Sequence, residues 1–212
     1  MADVLLVAAT EIELCERPGL ACGIGPVEAA AATARAIAAD PPDAVLHVGI
    51  AGGRGITPGG LVIGSESLYI DLSAEITIVD HVQPDPELLA KLREATPDAL
   101  VLPIGTSGAV GGVTDDRLRV EAMEGFGVLR ACELAGIPAV EIRAISNDLG
   151  EGDRSRWRIG RALEALGEAL PGLLRQAIHD ERAREGEQYS ELDHLLGRLV
   201  PAMVARYSDP SE

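Results

Sequence analysis

Two short stretches carry the charged residues best placed for chemistry. Glu121-Ala122-Met123-Glu124-Gly125 opens an apolar helix and sets a carboxylate, Glu124, among Met123, Phe126 and Leu129. Further on, an apolar strand, Pro138 to Ile145, ends in Arg143-Ala144-Ile145-Ser146-Asn147-Asp148. An acid on one element and a base on the next strand are placed to pair. A charged pair inside apolar elements is costly unless it is fully hydrogen-bonded or has a task. An ordinary interior ion pair and a functional pair are both open readings. Two more carboxylates, Glu11 and Glu13, lie just past a buried strand, Val4 to Ala9. In open α/β sheets the carboxyl ends of the strands are where ligands bind. For either carboxylate alone, a solvated loop is the plainer explanation.

Alternating strands and helices must hold these groups in place. Leu20 to Ile24 reads as a short strand, and Gly25-Pro26 starts a helix whose apolar stripe is Val27, Ala30, Ala31, Ala34 and Ile37. Gly23-Ile24-Gly25 is only half of a dinucleotide-binding fingerprint, with Glu28 where its third glycine belongs, so a tight strand-to-helix turn explains it better. Ala44 to Val48 is a buried strand running into Gly49-Ile50-Ala51-Gly52-Gly53, a loop whose glycines let a ligand approach the backbone. Leu61 to Ile70, Glu75 to Val79 and Leu100 to Ile104 read as strands, and Asp85 to Ala95 as a helix. Gly105 to Val113 reads as flexible, and Thr114-Asp115-Asp116 as a helix cap. Ser155 to Ile178 is a long helix with Trp157, Leu163, Leu166, Leu170, Leu173 and Ile178 inward, kinked at Pro171. After a charged break, Asp180 to Gln188, a last amphipathic helix carries Leu192, Leu195, Leu196, Leu199 and Met203.

Composition narrows the partners. Aromatics are only 2% of the chain against 47% hydrophobic residues, so aliphatic side chains must build the core, as in buried parallel strands. A formal net charge of −16 argues against nucleic acid and anionic membrane as partners. Cys15, Cys22 and Cys132 show no metal spacing and read as reduced thiols of a cytoplasmic protein. His47, His81, His179 and His194 are scattered singly and read as structural or exposed. No basic and apolar leader opens the chain, and no apolar run approaches a membrane span. The alternation predicts one α/β domain over 1–180, with 181–212 as a charged segment and amphipathic helix.

Four motifs in register resemble the nucleoside phosphorylase and nucleosidase superfamily: Gly23-Ile24-Gly25-Pro26, Gly49-Ile50-Ala51-Gly52-Gly53, Met123-Glu124-Gly125 and Arg143-Ala144-Ile145-Ser146-Asn147. The resemblance covers roughly residues 3 to 178. It implies a three-layer sandwich around a mixed, barrel-like sheet, commonly a homodimer or higher homo-oligomer. Within the superfamily the chain looks most like the futalosine hydrolases, which release hypoxanthine from futalosine in menaquinone synthesis. Methylthioadenosine/S-adenosylhomocysteine nucleosidases come second, and a non-catalytic nucleoside-binding protein on the same fold is the alternative of another class. The implied ligand is a small-molecule purine nucleoside, with no metal and no cofactor.

The resemblance carries roles onto particular positions. Glu13 falls where the nucleosidases activate water. Glu124 falls on their ribose-hydroxyl carboxylate, with Met123 against the sugar, and Arg143 on the arginine supporting it. Ser146 and Asn147 fall beside the purine, Asn147 where the nucleosidases handle N7 with an aspartate. N-glycoside cleavage passes through an oxocarbenium-like sugar, which nearby carboxylates and hydrogen bonds to the 2-hydroxyl stabilise. An asparagine amide can donate to N7 and to the O6 of a 6-oxopurine, whereas an aspartate suits the 6-amino group of adenine. Asn147 therefore implies hypoxanthine, although an asparagine capping the turn after the strand looks the same. His47 and Ile50 replace the usual phosphate grip, which favours water as acceptor. Ala122 stands where the nucleosidases have an acid, and 105–113 offers no aromatic to stack on the base.

Overall fold

The computed structural model describes residues 3–109 and 117–178. In chain order the elements are β1 (Val4–Ala8), β2 (Leu20–Ala21), α1 (Pro26–Ala39), β3 (Ala44–Gly53), β4 (Leu61–Tyr69), β5 (His81–Val82), α2 (Pro86–Ala95), β6 (Leu100–Thr106), β7 (Val120–Ala122), α3 (Gly125–Ala135), β8 (Ala139–Asn147) and α4 over 159–178. Short 3₁₀ turns lie at Glu11–Leu14 and Arg154–Arg156. The sheet is mixed and closes on itself. β3 runs parallel to β8, β8 antiparallel to β4, β4 parallel to β6, β6 parallel to β7, and β7 antiparallel to β3. β1 and β2 extend this ring beyond β3, and β5 extends it beyond β4.

Aliphatic packing makes three layers of this. Leu6, Leu46, Ile63, Val140, Ile142 and Ala144 pack against Leu88 and Leu92 of α2 and Leu166, Leu170 and Leu173 of α4. On the opposite face Val7 and Val45 meet Ala29 and Ile37 of α1 and Val128, Leu129 and Cys132 of α3. Ala51, Val62, Ile104, Val120 and Ile145 form a third, smaller cluster. The sheet is therefore covered on both faces, and its strands read as nearly continuous apolar runs.

Several expectations need correction. Gly49–Gly53 is the end of strand β3 and not a loop, because it pairs with β8 on one side and β7 on the other. Glu75 to Val79 forms no strand. Ile76 and Val79 are exposed there, and it is His81 and Val82 that bond back to β4. The stripe read on α1 is turned around the helix: Val27, Ala31 and Ala34 are exposed, while Ala29, Thr33 and Ile37 are buried. An alanine-rich helix gives periodicity little to distinguish its faces. Glu121 and Ala122 belong to β7, so α3 starts one turn later, at Gly125. The long helix begins at 159, and Trp157 precedes it in an extended backbone. This helix continues past Pro171. The cap at Thr114-Asp115-Asp116, the break at Asp180 to Gln188, the last helix, His179 and His194 lie outside the described residues.

Candidate active site

The carboxyl ends of β1, β3 and β8 and the turn from β7 into α3 border one cleft of about 340 Å³. Glu13, Met123, Glu124, Ser146 and Asn147 all line it. Arg143 does not; it is fully buried. Glu11 is exposed and lines no part of this cleft, which leaves Glu13 as the carboxylate of that turn that faces the ligand space.

Glu13 is held entirely by neutral donors. Its Oε2 accepts from the Thr10 amide at 3.1 Å and the Thr10 hydroxyl at 2.7 Å. Its Oε1 accepts from the Ile50 amide at 3.0 Å. Thr10 and Glu13 form a capping box that closes the 3₁₀ turn after β1, and the Ile50 amide of β3 completes the hold on the side chain.

Glu124 is anchored differently. Oε1 accepts from the Gly25 amide at 3.1 Å, and Oε2 faces Arg143 Nη2 at 3.4 Å. Gly23 and Gly25 both lie at positive φ, at 90° and 96°, a turn glycine tolerates and other residues strain to adopt. The half-motif of glycines thus shapes the turn that presents an amide to Glu124.

Behind Glu124 lies a buried polar cluster. Along β8, Val140, Ile142 and Ala144 enter the core under α4, so Glu141 and Arg143 point to the other face. Arg143 Nε donates to Glu141 Oε1 at 2.8 Å, and neither side chain has any exposure. Arg143 Nη2 donates to His47 Nε2, whose Nδ1 meets the Val7 carbonyl at 3.1 Å. That pattern requires Nδ1 to carry the proton and Nε2 to accept, the neutral imidazole. Burial, and after it the Arg143 charge, hold His47 well below its ordinary pKa, against a smaller opposing pull from the Val7 carbonyl. Burial opposes the charge on Arg143 as well, but Glu141, Glu124 and Glu13 outweigh it and the guanidinium pKa is raised. Burial also raises the Glu141 carboxyl, against the lowering effect of Arg143 and the Ser67 hydroxyl.

Two glycines make room for this cluster. A Cβ on Gly49 would collide with Arg143 Nη1 and lie 2.8 Å from Glu13 Oε1. A Cβ on Gly125 would collide with both oxygens of Glu141. These glycines bring the protein's own charged groups against the backbone, at Gly49 where the sequence suggested a ligand.

At the far wall, Asn147 Nδ2 donates to the Asp148 carbonyl at 3.0 Å, and Ser146 Oγ lies 2.7 Å from Asn147 Oδ1. A carbonyl can only accept, so Nδ2 must face Asp148; Oδ1 then receives the Ser146 hydroxyl. This leaves the second Nδ2 hydrogen for another acceptor. Gly52 admits the amide, since a Cβ there would sit 3.2 Å from Nδ2.

Sequence reasoning missed three contributors. Glu141 was legible as a charge two residues before Arg143 on an apolar strand. Thr10 was legible as the partner of Glu13 in a Thr-x-x-Glu box. Trp157, read as a core residue, lines the cleft, and among the described residues it supplies the only aromatic wall there. Its Nε1 donates to the Glu151 carbonyl at 2.9 Å, and Arg154 lies over its ring. The histidine readings hold for the described residues: His47 is structural and His81 is exposed beside Asp80. Among them no group of His, Cys, Asp and Glu has the arrangement of a metal site, and no helix is long and apolar enough to cross a membrane.

Comparison with known proteins returns futalosine hydrolases and methylthioadenosine/S-adenosylhomocysteine nucleosidases, among them a nucleosidase of Chromohalobacter salexigens 31% identical over 157 residues, covering 62% of this chain and 67% of the relative. The Phosphorylase superfamily profile matches residues 15–179. A futalosine hydrolase of Streptomyces coelicolor is 37% identical over 178 residues, covering 71% of this chain and 75% of the relative. One of Thermus thermophilus is 30% identical over 184 residues, covering 73% and 80%. Among solved structures, a futalosine hydrolase mutant of Helicobacter pylori superposes with a TM-score of 0.74 at 16% identity, covering 83% of this chain and all of that one.

Proposed function

The chain belongs to the phosphorylase superfamily, and from that premise we propose that it hydrolyses the N-glycosidic bond of futalosine, releasing hypoxanthine, as a step of menaquinone synthesis. The curated relatives at 30–37% identity support the substrate. The observation that carries the choice of hydrolysis is the seat of Glu13. Its carboxylate takes up the Ile50 amide, in the glycine stretch where a phosphorylase would hold phosphate. Glu121, Glu124 and Glu151 line the same cleft, and Arg154 is its only cation among the described residues. Such a surface repels a phosphate dianion and accepts water and a sugar that becomes cationic.

In this reading Glu13 takes a proton from the attacking water as the oxygen bonds to C1′ and the bond from C1′ to the purine nitrogen breaks. Glu124 accepts from the ribose hydroxyls, and its charge faces the developing oxocarbenium. Met123 packs on the sugar. Asn147, oriented by Ser146, donates its remaining amide hydrogen to the purine edge that gains electrons. Trp157 gives the cleft a flat apolar wall. The enzyme works as a cytoplasmic homo-oligomer; the exposed Ile12 and Ile24 at the cleft and Val27 at the start of α1 support association. The test is release of free base from futalosine and from methylthioadenosine, each with and without phosphate. Futalosine should be cleaved at equal rate in phosphate-free buffer; preference for methylthioadenosine, or strict phosphate dependence, would overturn the proposal.

A further inference from the structure

We infer that Glu141 is a positioning residue that holds Arg143 back from Glu124, so that the ribose-facing carboxylate keeps its negative charge for the reaction; this rests on the hydrolase reading above. Arg143 has several acidic neighbours and does not share itself equally. Its Nε bond to Glu141, at 2.8 Å, has the length of a strong charge-assisted pair, and the approach to Glu124, at 3.4 Å, is longer than such pairs usually are. Glu141 thereby fixes the guanidinium, leaving Nη2 to His47 and only loosely to Glu124. With no such partner, Arg143 would close on Glu124 and neutralise it.

Glu141 balances the buried charge of Arg143, but it makes no contact with the ligand space. It never reaches the cleft, its Oε2 has no hydrogen-bond partner, and it is fully buried. An unexposed carboxylate costs stability even when paired. The fold reserves space for it all the same, because any side chain at Gly125 would strike its oxygens. Gly125 follows Glu124 at the first turn of α3, so the slot ties the two carboxylates to one backbone turn. With Glu13 and Glu124, Glu141 leaves the cluster acidic beneath the carbon that becomes cationic.

The hold on Arg143 is charge-assisted, and Glu141→Gln tests it. Glutamine keeps a carbonyl oxygen for Arg143 Nε but loses the charge that holds the guanidinium against the pull of Glu124. If Glu141 acts through its charge, kcat falls about tenfold with KM within about twofold, since the interaction matters most at the transition state. Affinity for a nucleoside with a cationic iminosugar ring should weaken about tenfold as well, with binding of free hypoxanthine unchanged. Gly125→Ala keeps the charge but displaces it, and should lower kcat in the same way. The rates are read on whichever nucleoside the wild type cleaves, so failure of the futalosine assignment leaves this comparison intact. A Glu141→Gln protein with wild-type kcat and iminosugar affinity would overturn the inference. So would loss of folded protein in both variants, which assigns Glu141 to the fold alone.

Discussion

The two carboxylates that face one cleft are held in opposite ways. Glu13 rests on two backbone amides and a hydroxyl, all contributed by Thr10 and Ile50. Glu124 rests on one amide and on a buried guanidinium that also serves Glu141 and His47. Neutral dipoles fix a carboxylate and leave its charge whole. A cation fixes one and competes for its charge. The first arrangement suits a base that must take a proton, and the second suits a group that must only stay negative while a sugar becomes positive.

The largest effect should come from the carboxylate held by dipoles. Glu13→Gln removes the base and leaves one acceptor oxygen for the Thr10 and Ile50 donors that two oxygens served. Turnover should fall on the order of 10² to 10⁴-fold, with the fold retained, as circular dichroism can check. Rates near wild type would move the role of base elsewhere on the cleft.

Breaking the other arrangement should show in stability first. Arg143→Met leaves Glu141 and Glu124 buried without their cation. The loss should be about 3–5 kcal/mol, the range for removing one partner of a buried pair, read by denaturant unfolding. A melting curve and activity matching wild type would mean that the cluster carries no weight in the fold or the reaction.

Asn147→Asp should move specificity more than rate. With one Nδ2 hydrogen on the Asp148 carbonyl, Asn147 keeps one to donate to the 6-oxopurine edge; an ionised carboxylate keeps the position but has none, and it can accept from a 6-amino group. The ratio of kcat/KM for futalosine to that for methylthioadenosine should fall by at least about tenfold, because a mismatched buried polar group discriminates strongly. An unchanged ratio would reduce Asn147 to a turn residue bonded to Asp148.

How far the chain was legible follows the same division between local and non-local contacts. The apolar strands, the layered α/β class and the pairing of Glu124 with Arg143 could be read because burial leaves continuous runs in the sequence. The place after β1 offered Glu11 and Glu13 alike, and only the resemblance to the nucleosidases singled out Glu13, whose Thr10 anchor lies three residues away. Closure of the sheet was implied by the family resemblance and not by residue patterns, because the antiparallel pairing of β8 with β4 joins distant stretches. The slots at Gly49 and Gly125 were equally hidden. Each is defined by a side chain of β8, and glycine by itself does not say whether its space is kept for a ligand or for the protein. Trp157 was misplaced for a simpler reason: the helix was read from Ser155, four residues upstream of where it begins.

His47 offers the smallest and most selective probe of the cation-held side. It is neutral in the folded protein because burial and then Arg143 keep its pKa well below the ordinary value. The unfolded chain binds that proton near pH 6.5. Below this pH the unfolded state therefore takes up a proton that the folded state refuses. The stability His47 contributes is complete above about pH 6.5 and is lost as pH falls towards its folded value, with a slope of at most about 1.4 kcal/mol per pH unit. His47→Gln keeps an acceptor for Arg143 and cannot titrate. Between pH 7 and pH 5 its unfolding free energy should fall less steeply than that of wild type, while activity at pH 7.5 changes little in comparison with Glu13→Gln. Parallel slopes would show that His47 binds its proton equally in both states, and that Arg143 does not hold it neutral.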